Sequence, residues 1–303
     1  TMALLAGDIL DTHERLHTQL VNKAFELILA LTSQMPTFVL VGNHDYINNS
    51  QFCSKEHWMV PLQTLSSHYH GPFTFTIVEQ PLMYQGLVFC PYVPEGRFVE
   101  ALDKYLPTWK NATCIFAHQT FKGCKMGAMI SEEGDVWDLS WPQVISGHIH
   151  ERQQPQANIF YPGSIINHTF GYDSQGCFIF TFTGAVYTTE DIDLGFKKKR
   201  TIYLKAHEVG AEHNFKIDPE NLKYVISGSY ADIRGLKPCV KRLFGLSKVK
   251  FRVLRSVSLD KKTSLTHLST FQSIFENKLT EDLIDDYKPV SYTHLRAHET
   301  DSY

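Results

Sequence analysis

No apolar run in the 303 residues reaches the roughly 18 that a membrane-spanning helix requires, and the first residues do not form a signal-like segment. An intracellular protein, cytoplasmic or nuclear and without a membrane partner, is therefore expected. Paired cysteines are missing too. Cys53, Cys90, Cys114, Cys124, Cys177 and Cys239 are irregularly spaced with no Cys-x-x-Cys, and several fall in apolar runs, so they read as buried free thiols in a reducing compartment. No excess of basic charge exists: 29 Lys and Arg against 32 Asp and Glu give a formal charge of -3. Binding to a polyanion would thus need a local patch, of which Lys197-Lys198-Lys199-Arg200 is one candidate, although a charge run is more often a solvated face. A phosphate-binding Gly-x-x-x-x-Gly-Lys-Ser/Thr loop is absent, so the chain is not itself an ATPase. Internal repeats and long low-complexity stretches are also lacking.

What the chain does have is enough apolar surface for a core, with 43% hydrophobic and 13% aromatic residues. Met2 to Ala6 reads as a strand, and His17 to Gln34 places Leu20, Val21, Ala24, Phe25, Ile28 and Leu31 at helical spacing. A second strand at Thr37 to Val41 completes a βαβ unit, which implies a parallel sheet and an α/β fold. Further strands are expected at Phe73 to Val78, Leu87 to Pro91, Thr113 to Ala117, Gln143 to Ser146, Ile159 to Tyr161, Cys177 to Thr183 and 185–189, with Gly184 as a hairpin turn. Glu95 to Tyr105 is a helix candidate. Beyond about residue 195 a smaller α/β module follows, with strands near 201–206, 224–227 and 248–255 and helices near 231–244 and 268–278. Three segments result: 1–195, 196–288, and an aperiodic stretch at 289–303 that reads as a non-native tail.

The chemistry gathers where strands end. Gly7-Asp8, Gly42-Asn43-His44-Asp45 and Gly147-His148-Ile149-His150 each follow an apolar strand-like run, and ligand sites of parallel sheets collect beyond the carboxyl ends of strands. A carboxylate, an amide oxygen and imidazoles are the mixed donors that suit manganese, iron or zinc. His148 and His150 are spaced to share one side of an extended segment and so to face one centre. Asp45 is placed to hold the His44 ring by accepting its second N–H. Taken together, the clusters read as a metal-dependent phosphoesterase.

Gly7-Asp8-Ile9-Leu10-Asp11, Gly42-Asn43-His44-Asp45, the lone His118 after Ile115-Phe116-Ala117, and Gly147-His148-Ile149-His150 occur in the order of the calcineurin-like metallophosphoesterases, a resemblance covering roughly residues 1–190. Tyr161-Pro162-Gly163-Ser164 followed by Thr169-Phe170-Gly171 resembles the SbcD-type exonucleases of double-strand-break repair. The resemblance implies an αββα two-sheet sandwich with a small C-terminal α/β capping module. It implies two divalent metal ions, manganese by expectation. Asp8, Asn43, His118 and His148 would hold one, and Asp8 with His150 the other. The family has an earlier Asp-x-His segment, whereas this sequence opens inside its first strand, so a weak or empty second site is expected. His44 and Asp45 form the expected catalytic pair, with His44 the general acid. Asp11, His13 and His168 are expected near substrate, although Asp11 could instead cap the following helix and His17 lie on its solvated face. Phe121, Trp137 and Trp141 read as core rather than as base-stacking groups.

The resemblance further implies a nuclease acting on DNA with an SbcC-type ATPase partner, in a homodimer, and a phage- or virus-encoded origin would suit so compact an enzyme. A phosphoprotein, a cyclic nucleotide or a small phosphodiester is the competing substrate, because the metal motifs are shared across these activities. A scaffold that has lost catalysis is the reading from a different class; converging ligands oppose it.

Overall fold

The β1 strand (Ala3–Leu5), helix α1 (Thr18–Thr32) and strand β2 (Thr37–Leu40) form the expected βαβ unit, with β1 and β2 parallel and Ala3 opposite Thr37. The computed structural model describes residues 1–254 apart from 12, 14, 128, 167–169, 171–175, 185, 210–221 and 245–248. His168, the helix expected over 268–278 and the stretch 289–303 lie outside the described residues. Helix α2 (Val60–Ser66) leads to β3 (Phe75–Val78), which extends the first sheet in the order β1-β2-β3.

A second sheet takes up the next strands. The β4 (Leu82–Tyr84) and β5 (Leu87–Phe89) strands are a hairpin whose turn residues, Gln85 and Gly86, both have positive φ (50° and 79°), the backbone of a two-residue hairpin that follows strand twist. Helix α3 (Phe98–Tyr105) crosses to β6 (Cys114–Ala117). A short ribbon, β7 (Lys125–Met126) with β8 (Met129–Ile130), precedes β9 (Gln143–Ser146), β10 (Gln153–Gln156) and β11 (Ile159–Tyr161). The order is β10-β11-β9-β6-β5-β4, with β11, β9, β6 and β5 parallel and the antiparallel strands at the edges.

Strand alternation explains why the central runs are apolar throughout. Phe38 and Leu40 of β2 point to one cluster with Phe89, Cys114, Phe116 and Ile145 of the second sheet, while Val39 and Val41 point the other way, to Ile28 of α1. Likewise Val88, Ile115 and Val144 turn from the shared cluster to Phe98, Ala101 and Leu102 of α3. The two sheets therefore meet through rings such as Phe38 and Phe89, stacked with centroids 4.4 Å apart. Strands covered on both faces carry near-continuous hydrophobic sequence for this reason. Trp109, Trp137, Trp141, Phe98 and Phe121 pack ring on ring beneath α3, so the tryptophans and Phe121 are core, as the sequence reading has them.

The α1 stripe is narrower than its periodicity implies. Ala24, Ile28 and Thr32 are buried, whereas Leu20 is 54% exposed. The β12 (Phe178–Thr183) and β13 (Val186–Asp191) strands form the expected hairpin at Gly184, and Phe180 and Phe182 pack edge-on against Phe116. Then β14 (Arg200–Lys205), β15 (Leu222–Gly228), helix α4 (Tyr230–Phe244) and β16 (Val249–Val253) make a parallel three-stranded sheet around Tyr224, Ile226, Val240 and Val249. All of this belongs to one compact unit, Thr1–Leu254. Among the described residues, no helix is long and apolar enough to cross a membrane.

Candidate metal centre

Four loops converge at the carboxyl ends of β1, β2, β6 and β9, and glycines let them approach. A Cβ on Gly7 would run into the His118 ring, one on Gly42 would overlap the amide nitrogen and Oδ1 of Asp8, and one on Gly147 would strike the Ala6 carbonyl. Gly7 has φ +94°, and Asp8 itself sits at φ +52°, an uncommon left-handed geometry for a residue with a side chain. His148 is stranger still. The N–H of Ile149 donates to the Gly147 carbonyl (2.9 Å), so His148 is the apex of a γ-turn at φ +72°, a strained conformation of the kind found where function requires it.

The donors meet closely. His118 Nε2 lies 3.1 Å from Asp8 Oδ2 and 3.1 Å from Asn43 Oδ1. His148 Nδ1 is 2.9 Å from Asn43 Oδ1 and 3.2 Å from His118 Nε2. Asp8, His118 and His148 each offer a ligand atom within 4.8 Å of the others. Metal bonds of about 2.0–2.1 Å place neighbouring donors roughly 3.0–3.4 Å apart, so the four residues fit a divalent ion with little rearrangement. Orientation is fixed from behind. His118 Nδ1 faces the Ala6 carbonyl at 2.7 Å and donates there, leaving Nε2 to the centre, and the Asn43 amide nitrogen donates to Asn49 Oδ1 (3.2 Å), which turns its oxygen inward.

The charges of these groups depend on one another. Burial alone would raise the Asp8 carboxyl, but the His118 imidazolium and the backbone N–H of His44 outweigh it and hold Asp8 well below the ordinary carboxylate range. Burial opposes the positive form of His118 as well, yet the Asp8 carboxylate raises it above its ordinary value. His148 goes the other way: burial and the charge of His118 lower it to about 3. A proton on His118 thus holds the positive charge that a metal ion would bring.

Asp45 requires a correction. It is buried at 1% exposure, and the hydrogen bonds of its carboxylate go to other groups than the His44 ring. Oδ2 instead accepts the N–H groups of Asp8 and Gly42 (both 2.9 Å), and Oδ1 accepts Trp58 Nε1–H (2.8 Å) and, at 3.4 Å, Leu10 N–H. Asp45 pins two metal-site loops together. Burial pushes its carboxyl up to about 6, against the Trp58 indole and with the Asp8 charge. The partner of His44 Nδ1 is the Asp11 main-chain carbonyl (2.9 Å), so Asp11 reaches the site through its backbone. Asp11 does not cap α1, whose N-cap is His17 without a side-chain cap bond. His13 stacks on His44 with centroids 5.1 Å apart, and its own Nδ1 faces the Tyr46 carbonyl at 2.9 Å.

His150 also departs from expectation. What fails is the alternation that would turn His148 and His150 to one side: His148 occupies a γ-turn, so the segment is not extended, and the exposed His150, expected on the second ion with Asp8, is not one of the three donors that meet. Ile149 between them is buried at 5%. The sequence reading missed Asn49, Trp58 and Tyr92. Tyr92 lies with its ring 6.1 Å from His148 and 6.4 Å from His118, its hydroxyl donating to the Asn49 carbonyl. The one available signal was Trp58, an indole just before α2 whose N–H must find a partner if buried.

No protein-family model matches the chain. It is 45% identical over 245 residues to "Putative phosphoesterase 244L" of Invertebrate iridescent virus 6, an alignment covering 78% of this chain and 85% of that protein. It is 39% identical over 244 residues to "Putative phosphoesterase 078R" of Invertebrate iridescent virus 3, covering 77% of this chain and 68% of that protein. With likeness of this extent and a built donor cluster at its strand ends, the chain belongs to the phosphoesterase family of these viral proteins.

Proposed function

We propose that the chain hydrolyses phosphodiester bonds of DNA with manganese held by Asp8, Asn43, His118 and His148. The observation that carries the reading is the convergence of those four donors beside His44, whose ring has its Nδ1–H committed to a carbonyl, so that Nε2 is the atom that can carry a second proton and pass it on. A divalent ion bound there would supply a Lewis acid and lower the pKa of bound water from 15.7 to about 7. Asp8 and the two histidines orient that charge, and His44 delivers a proton to the departing oxygen.

The DNA substrate is supported by the resemblance of Tyr161-Pro162-Gly163-Ser164 to the SbcD-type turn; Gly163 takes φ +84°, and the N–H of Ser164 meets the His150 carbonyl at 3.1 Å. The layering of α1, two sheets and α3 supports an αββα sandwich, and the β14–β16 module supports a cap that orients DNA. An SbcC-type ATPase as partner and a homodimer follow from the same resemblance. The test is manganese-dependent cleavage of labelled single- and double-stranded DNA beside bis-p-nitrophenyl phosphate, with Asp8→Asn, His44→Ala and His148→Ala as controls. DNA cleavage lost in all three variants supports the nuclease. Hydrolysis of the small ester alone overturns DNA as substrate.

A further inference from the structure

We propose that His13 is a positioning residue that holds the His44 imidazole at its working angle by ring-on-ring contact. The inference rests on the reading of His44 as proton donor. The hydrogen bond from His44 to the Asp11 carbonyl fixes one ring atom but leaves rotation about that axis, and the terminal torsion of histidine is intrinsically broad. His13 removes that freedom. Its ring lies 5.1 Å from that of His44, centroid to centroid, and only 16° from parallel, an offset stack in the favourable range for flat rings.

His13 is itself fixed. Its Nδ1 meets the carbonyl of Tyr46 at 2.9 Å, and Tyr46 is fully buried two residues beyond His44. The two rings are therefore moored to different segments, His44 to the loop after β1 and His13 to the loop after β2, in a reciprocal exchange. Face-to-face contact passes no hydrogen bond between them. A flat apolar ring in place of His13 should thus preserve the effect, whereas a small or merely polar side chain should not.

The variants are His13→Phe, His13→Ala and His13→Asn, compared with His44→Ala on a dinucleoside phosphate and on the p-nitrophenyl ester of a nucleotide. Only the first substrate needs a proton delivered to its leaving oxygen. Expected for His13→Ala and His13→Asn is a loss of about tenfold in kcat on the dinucleotide, unchanged KM, and little loss on the p-nitrophenyl ester. His13→Phe should stay within about threefold of the parent. NMR relaxation at the His44 ring Cε1–H should show faster motion in His13→Ala and native-like order in His13→Phe.

A rise in KM, a Phe variant as poor as Ala, or equal losses on both substrates while His44→Ala loses only on the dinucleotide would overturn the proposal in favour of direct substrate contact. Unchanged His44 ring order in His13→Ala would overturn it outright. If instead the ring loosens as expected while His44→Ala loses equally on both substrates, positioning stands and the proton-donor reading is what fails.

Discussion

Asp45→Asn separates two accounts of the same carboxylate. If Asp45 serves the loops, the amide nitrogen of Asn must face either the Asp8 and Gly42 N–H groups or the Trp58 and Leu10 N–H groups, because both ends of the native carboxylate accept. The less costly choice sacrifices Trp58 and the long Leu10 contact. A buried donor left without a partner costs about 1–3 kcal/mol, so the loss is roughly 2–4 kcal/mol once the facing donors repel. Against this, the substitution removes a buried charge. The folded carboxyl sits at about 6 against 3.8 unperturbed, so the native state holds an extra proton between those values and stability falls as pH rises through that window. At about 1.36 kcal/mol per unit, the carboxylate costs roughly 3 kcal/mol by pH 7. At pH 4 the parent carboxyl is itself protonated and its hydroxyl faces the same N–H groups, so about one orphaned donor separates the two chains. Urea melts of metal-free protein should show Asp45→Asn destabilised by about 1–3 kcal/mol at pH 4 and gaining roughly 3 kcal/mol on the parent by pH 7. Manganese affinity should fall by less than about tenfold, since the Asn oxygen still accepts the Asp8 and Gly42 N–H groups. A pH-independent stability difference would refute the burial argument. A selective loss on poor leaving groups would restore Asp45 as the partner of His44.

Metal loading should release a proton, because His118 is raised above its ordinary value by Asp8 while His148, lowered to about 3, is already neutral. Calorimetry at pH 6 in buffers of different ionisation enthalpy should give about one proton per manganese, with affinity rising as pH climbs through the His118 value; no release would contradict the assignment. Without metal, the raised His118 contributes stability that is present below about pH 6.5 and lost as pH rises through its folded value. Gly42→Ala should cost at least about tenfold in manganese affinity while leaving far-ultraviolet circular dichroism unchanged, since its Cβ meets the backbone nitrogen of Asp8. Cys53, Cys90, Cys114 and Cys124 are buried free thiols, and burial pushes Cys53 and Cys114 up to about 12. Native protein at pH 8 should therefore resist iodoacetamide at these four positions, with alkylation appearing in urea; rapid native labelling of Cys90 would show that the segment following β5 is not covered as described.

The legible parts of the fold are those in which local pattern and tertiary burial agree. Gln143 to Ser146 and Ile159 to Tyr161 read as strands from composition alone and have those bounds in the structure. Short edge strands did not announce themselves: β4 carries Leu-Met-Tyr with two exposed residues, and β10 carries Gln-Gln-Pro-Gln, so neither has the β-branched signature of a buried strand. Their pairing is imposed by neighbours. At the site, residue types and strand-end position identified which side chains converge, because parallel strands deliver their carboxyl ends to one rim. Direction within the rim was not legible. Alternation predicted that His148 and His150 share a face, but alternation holds only for extended backbone, and the γ-turn at His148 cancels it. Asp45 shows the same limit for hydrogen bonding. A carboxylate one residue from an imidazole seemed placed to hold that ring, yet buried main-chain N–H groups of tightly turned loops have a stronger claim on it, because leaving several unpaired costs more than leaving one half-buried imidazole to a carbonyl. Reading such a motif from sequence therefore requires counting the orphaned backbone donors that its glycine turns create before assigning the nearest acid to the nearest base.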